Sequence, residues 1–214
     1  MSLHVGIVAA GPIDEIPDLS NYPKVNYWIG VDEGAKVLYE AGIQTDLVMG
    51  DFDSIDPSLI ETLQQSAQSV KVFPTVKDET DLELAFLEAI HLKPDQVLIF
   101  GATGGRLDHA WMNVQLLNMF ADQNINAWLV NGQNEITLKK PGKYELEKDL
   151  SFPYISFLPF SEKVENLTLQ GFRYPLDQHT IVQGSSLTIS NEWSEKKGTY
   201  FFTSGIILVI KSRD

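Results

Sequence analysis

The hydrophobic pattern of this 214-residue chain changes once, near Asn131, and that change limits the folds open to it. Before it, short apolar runs alternate with stretches of helical period. Val5–Ala10, Val25–Val31, Asp46–Met49, Val70–Phe73, Val97–Phe100 and Ala127–Val130 read as strands. Glu33–Ala41, Pro57–Ser69, Asp78–His91 and Leu107–Gln123 read as helices. In Asp78–His91, residues Leu82, Ala85, Phe86, Ala89 and Ile90 fall at i, i+3, i+4, i+7 and i+8, the spacing of one buried helix face. Strands alternating with helices predict a mostly parallel sheet covered by helices.

After Asn131 no helix is expected. Ile136–Leu138, Lys143–Leu146, Ile155–Leu158, Leu167–Leu169, Ser186–Ser190, Thr199–Thr203 and Ile206–Ile210 are short and rich in β-formers, and glycines separate many of them. Runs of this kind predict a small β-sandwich. The expected fold class is therefore α/β: an N-terminal Rossmann-like domain over residues 1–135, then a C-terminal β-sandwich over 136–214.

Composition excludes several functions. There are 29 acidic and 16 basic side chains, a formal charge of −13. Such a chain repels nucleic acid and anionic lipid, so neither is an expected partner. It has no cysteine, which removes disulfides, thiolate metal sites and cysteine nucleophiles. The four histidines, His4, His91, His109 and His179, show no paired spacing for a histidine-based zinc or iron centre. The apolar run at the N-terminus is short and lacks a preceding basic residue, and no run approaches the roughly 20 residues that span a bilayer. A cytoplasmic protein is expected.

Acidic residues gather where three strands end. Asp51 and Asp53 follow Asp46–Met49, and residues two apart in an extended segment point the same way. They suit Mg²⁺, a hard cation that takes one or two carboxylates plus phosphate oxygens; a polar turn is the plainer alternative. Lys77-Asp78-Glu79-Thr80-Asp81 opens a helix. Acids in a first turn complement the helix dipole by about 0.3–1 kcal/mol each, but Lys77 beside them also suits a site for metal and phosphate together. Asp78 and Asp81, at i and i+3, are expected on one side of the turn. Gly104-Gly105-Arg106-Leu107-Asp108-His109 follows Val97–Phe100. Its glycines allow close approach of a phosphate, and Arg106 offers a planar fork to phosphate oxygens. Asp108 reads either as a metal-site carboxylate or as a first-turn acid, and His109 as a capping or packing residue. All three junctions fall on the carboxyl edge of the expected sheet, where such folds bind ligands.

With these blocks in hand, the sequence resembles the thiamin pyrophosphokinase family. The resemblance is carried by Asp46–Ser54, Lys77–Asp81, Gly104–His109 and, in the β-rich half, Ser190-Asn191-Glu192-Trp193. It implies transfer of a pyrophosphoryl group from ATP to the hydroxyl of thiamin, giving thiamin diphosphate and AMP. Mg²⁺ is the implied cofactor, and the implied assembly is a homodimer with sites between subunits. By motif, Asp51, Asp53, Asp81 and Asp108 correspond to catalytic acids around Mg²⁺ and substrate, the first three as metal ligands. Lys77, Asp78, Gly104, Gly105 and Arg106 correspond to the ATP phosphate site. Thr188, Ser190, Asn191 and Trp193 correspond to the thiamin pocket. Glu33 stands where relatives often have glycine, and no nucleotide contact is carried onto it. Thiamin is a cation, which suits an acidic site and cation–π attraction to Trp193, although a core tryptophan is the plainer alternative.

Three rivals remain. A Mg²⁺-dependent phosphohydrolase also uses Asp-x-Asp after a strand, but usually after the first. A Mn²⁺-dependent nucleotide-sugar transferase leaves the other two blocks unexplained. A thiamin- and nucleotide-binding sensor on the same scaffold could lose metal ligands, and all four acids are present.

Overall fold

The computed structural model describes residues 2–51, 63, 67–74 and 78–214. Asp53, Lys77 and most of the helix expected over Pro57–Ser69 lie outside them. The chain divides into two compact units, Met1–Gly132 and Gln133–Asp214.

Among the described residues the first unit holds six strands: β1 (His4–Val8), β2 (Tyr27–Val31), β3 (Leu47–Gly50), β4 (Ser69–Val72), β5 (Gln96–Phe100) and β6 (Asn126–Val130). Their order is β6-β5-β1-β2-β3-β4, and every pair is parallel. The chain moves outward from β1 through β4, then returns to β5 on the other side of β1. The sheet therefore has a switch point between β1 and β5, where the following loops diverge. Helices fully within the described residues include α1 (Glu33–Glu40), α2 (Asp81–His91) and α3 (Leu107–Asp122). With right-handed crossovers, the reversal of direction sets α1 on one face and α3 on the other.

Local chemistry sets these elements. Thr80 Oγ1 accepts from the Glu83 N–H at 3.1 Å, so Thr80 caps α2 and Glu83 completes a capping sequence. The helix thus begins at Asp81, three residues later than expected. Asp78 and Glu79 precede it and do not share its first turn. Leu82, Ala85, Phe86 and Ala89 form its buried face, and Phe86 meets Phe120 of α3 at 4.8 Å between ring centroids. Truncating a fully buried Phe such as this one costs about 3–5 kcal/mol.

The second unit is a pair of antiparallel sheets. One has the order β12 (Asn191–Glu192), β9 (Tyr154–Pro159), β14 (Ile207–Ser212), β7 (Asn134–Lys139). The other runs β11 (Leu176–Val182), β10 (Lys163–Gln170), β13 (Lys197–Phe202), β8 (Gly142–Glu147). Alternate residues turn inward: Ile155 and Phe157 from β9, Ile207 and Val209 from β14, Tyr200 and Phe202 from β13. Tyr200 stacks on Tyr144 at 5.0 Å and meets Phe157 at 5.2 Å. Burial pushes the Tyr200 phenol far above its usual range.

Two expectations are corrected here. Ser186–Ser190 forms no strand; pairing with β9 as a strand begins at Asn191. Leu187 and Ile189 point outward, 53% and 47% exposed, while Thr188 is buried. The apolar alternation is inverted, and Ser190 adopts a positive φ of 52°, so the segment cannot lie as a half-buried strand. Conversely, β11 was not expected. Its face is largely polar and exposed, Gln178 has φ 47°, and its register to β10 shifts twice.

Candidate functional site

A cleft of about 940 Å³ opens in the first unit at the carboxyl ends of β1, β2 and β5. This is the switch point, the expected ligand site of an open parallel sheet. Its floor is backbone. The Gly11 N–H donates to Gly101 O at 2.8 Å, and a Cβ on Gly11 would sit 2.3 Å from that same oxygen. At Gly34 a Cβ would sit 2.0 Å from Val8 O, so the first turn of α1 presses directly on the end of β1.

The loop after β5 forms one wall. Gly104 and Gly105 take φ values of 84° and 62°, which L side chains rarely adopt. Asn113 Nδ2 donates to Ala102 O at 2.7 Å, and Asn131 Nδ2 donates to Thr103 Oγ1 at 2.8 Å, bracing the loop from both sides. Arg106 stands at the start of α3. Its Nη2 and Nε donate to the two carboxylate oxygens of Asp108 at 2.6 and 3.2 Å. These bonds hold the Asp108 carboxyl down to about 2, with a smaller contribution from the His109 N–H, and push the Arg106 guanidinium up.

The facing wall comes from the β2–α1 junction and the start of α2. Asp32, Glu33, Lys36, Thr80 and Asp81 line it. Asp32 is unusual: its backbone has φ 48° and ψ −124°, the geometry that glycine ordinarily takes in a tight turn. Such a conformation costs a non-glycine residue on the order of 1–3 kcal/mol. Oδ1 of Asp32 is fully buried, 1.9 Å from where a Cβ on Gly50 would lie. Gly50 thus leaves a notch that the Asp32 carboxylate fills, immediately before Asp51.

Among the expected site residues, the cleft brings together Asp81, Gly104, Gly105 and Arg106. Asp51 follows β3 and is half-buried, Asp78 is exposed ahead of α2, and Asp108 faces Arg106. Asp53 and Lys77 are not described. Asp32, Lys36 and His109 also line the cleft and were not singled out for ligand contact. The Thr-x-x-Glu sequence at Thr80 would have moved the start of α2 and separated Asp78 from Asp81. Nothing in the sequence signals the positive φ of Asp32.

Residues expected to contact thiamin are largely internal to the second unit. Asn191 is 3% exposed, and its Oδ1 accepts from the Tyr174 and Glu192 N–H groups at 3.0 and 2.9 Å. Its Nδ2 donates to Tyr174 O at 2.8 Å. Thr188 Oγ1 donates to Phe157 O. Trp193, 8% exposed, packs on Phe172 at 5.4 Å, and its Nε1 donates to Phe152 O at 3.1 Å. Ser190 is exposed.

Donor chemistry in the first unit suits a hard cation: Asp51, just past β3, and Asp81, opening α2, offer carboxylate oxygens. Among the described residues, no three acidic or histidine side chains are grouped closely enough to enclose a metal. No helix among them is long and apolar enough to cross a membrane.

Comparison with known proteins agrees over both units. The family profile "Thiamin pyrophosphokinase, catalytic domain" matches residues 20–129, and "Thiamin pyrophosphokinase, vitamin B1 binding domain" matches 143–207. Thiamine pyrophosphokinase of Bacillus subtilis (strain 168) is 45% identical, covering 98% of this chain and 99% of that protein. The crystal structure of a thiamine pyrophosphokinase from Bacillus subtilis superposes with a TM-score of 0.92 at 44% identity, over 99% of each chain. That of a thiamin pyrophosphokinase from Geobacillus thermodenitrificans gives 0.90 at 41% identity, over 99% of this chain and 98% of the other. Both domain profiles match in sequence order, the catalytic one over the parallel-sheet unit and the vitamin B1 binding one over the antiparallel unit, and the chain belongs to the thiamin pyrophosphokinase family.

Proposed function

We propose that this chain transfers the pyrophosphoryl group of ATP to the hydroxyl of thiamin, forming thiamin diphosphate and AMP. The observation that carries this is the full-length match to thiamine pyrophosphokinase, both family domains included. The switch-point cleft supports it, being roomy enough for a nucleotide and bounded by phosphate-binding chemistry.

In this reaction the thiamin hydroxyl oxygen attacks the β-phosphorus, and the bond from that phosphorus to the AMP oxygen breaks with its electron pair leaving on AMP. Such transfers rest on positioning and charge stabilisation. Gly104 and Gly105 let the chain approach the triphosphate closely, and Arg106 and Lys36 supply positive charge. Asp51, Asp53 and Asp81 would hold Mg²⁺, which when bound neutralises phosphate oxygens as charge moves between them. Arg106 keeps Asp108 strongly acidic, which makes it a weak proton acceptor. The hydroxyl proton passes to a carboxylate at the cleft that is not engaged with the cation, or to water, and Asp108 serves by holding the Arg106 fork in place. The chain acts as a homodimer in the cytoplasm, and its thiamin contacts come from the segment around Ser190–Trp193.

Incubation with thiamin, ATP and Mg²⁺ tests the proposal. Thiamin diphosphate and AMP should form in equal amounts. ADP with thiamin monophosphate would overturn it, as would binding of both substrates without turnover.

A further inference from the structure

We propose that Asp32 is a positioning residue that fixes the carboxyl end of β3, and with it Asp51, from the β2–α1 junction. The role presupposes the pyrophosphoryl transfer proposed above. Two hydrogen bonds and one close packing contact place Asp32. Its N–H donates to Met49 O at 2.9 Å, its carbonyl accepts from the Ala35 N–H at 3.0 Å, and its Oδ1 fills the notch over Gly50. Gly50 O in turn accepts from the Phe73 N–H at 3.0 Å, just past the end of β4. The ends of β2, β3 and β4 are thereby laced in series, and Asp51 is the next residue after the notch.

A glycine at position 32 would satisfy the same backbone geometry without strain, and the two backbone bonds would survive. What it would not supply is the carboxylate. A strained aspartate retained at a cleft wall, with one oxygen locked against the strand that delivers Asp51, is the arrangement of a side chain kept for the site rather than for the fold. The neighbouring residues agree, since Asp32 and Asp81 line the same cleft.

The test compares Asp32→Gly and Asp32→Asn with wild type in the full chain. Asp32→Gly should melt at or above the wild-type temperature in metal-free buffer, because strain is relieved. Its kcat should nevertheless fall by at least about tenfold with KM for ATP within about twofold, the pattern of a lost transition-state interaction. Asp32→Asn, which still fills the notch, should recover part of that loss. Titration of the substrate-free chain with Mn²⁺, read by water-proton relaxation, should show weaker binding in Asp32→Gly. Wild-type kcat in Asp32→Gly would overturn the role. So would a collapsed melting temperature with full activity in the folded fraction. Unchanged Mn²⁺ affinity would overturn it independently of substrate, so that failure of wild type to make thiamin diphosphate would count against the proposed reaction alone.

Discussion

Asp81, Lys36 and Arg106 line open space in the first unit, whereas Asn191 and Thr188 of the second are 3% exposed and closed onto backbone partners. Both sets are polar and both were singled out or passed over on sequence alone. The first unit builds its site from what the fold leaves over: the ends of parallel strands, where loops diverge and backbone groups lack partners. The second unit closes its core with packed side chains such as Ile155, Phe157, Tyr200 and Phe202. There a buried polar group must be hydrogen-bonded, so Asn191 and Thr188 brace the sandwich edge and Trp193 anchors it. A polar residue at a strand end in the first unit is thus available to a ligand, while one in the second has first to satisfy the protein.

Four substitutions can break or sharpen this contrast. The largest effect is expected from Trp193→Ala, which removes a buried indole and should cost about 3–5 kcal/mol of stability. Thermal unfolding beside thiamin titration reads it; unchanged melting with weakened thiamin binding would show that Trp193 faces ligand after all. Next is Asp51→Asn, expected to lower kcat by about 10²–10³-fold with the melting temperature unchanged, as for removal of one electrostatic group from a preorganised site. Full activity with unchanged Mg²⁺ dependence would remove Asp51 from the site. Arg106→Gln should raise KM for ATP by about tenfold, the loss of one charge-assisted bond. It should also let the Asp108 carboxyl rise from about 2 toward the usual carboxylate range, visible by NMR titration.

The last test concerns half-buried Lys139 of the second unit. Burial pulls the Lys139 ammonium down to about 8. An unfolded lysine titrates near about 10.4, so between those values the unfolded chain binds more protons and stability rises with pH. Urea unfolding from pH 8 to pH 10 should show that rise in wild type and a smaller one in Lys139→Met.

Much of this was legible in the chain. Apolar periodicity located α1 and α3 to within a residue at their ends, because buried faces must repeat at 3.6 residues. Gly104-Gly105-Arg106 was legible as a site-forming loop, and it does line the cleft, because glycine and arginine have specific backbone and side-chain chemistry. β11 was not, because a polar edge strand with a positive φ at Gln178 carries no alternating apolar signal. Trp193 was read by resemblance as a thiamin contact, with core packing as the alternative; its contacts with Phe172 and Phe152 O are long-range and leave no mark in the sequence. Asp32 was invisible for a different reason: its geometry depends on an empty Cβ position at Gly50, eighteen residues away.

The backbone floor of the cleft has a consequence for anyone redesigning it. A side chain can be trimmed or enlarged one atom at a time, but Gly11 and Gly34 already touch carbonyl oxygens of neighbouring segments, so the floor accepts no incremental change. Any added carbon there moves a strand end rather than a pocket wall. Altered ligand selectivity must therefore be sought at the rim, at Ile13, Glu33, Lys36 and His109, where side chains border the same space and can be exchanged without touching the sheet. The floor is an inherited shape, and the rim is the part of the cleft open to selection in the laboratory.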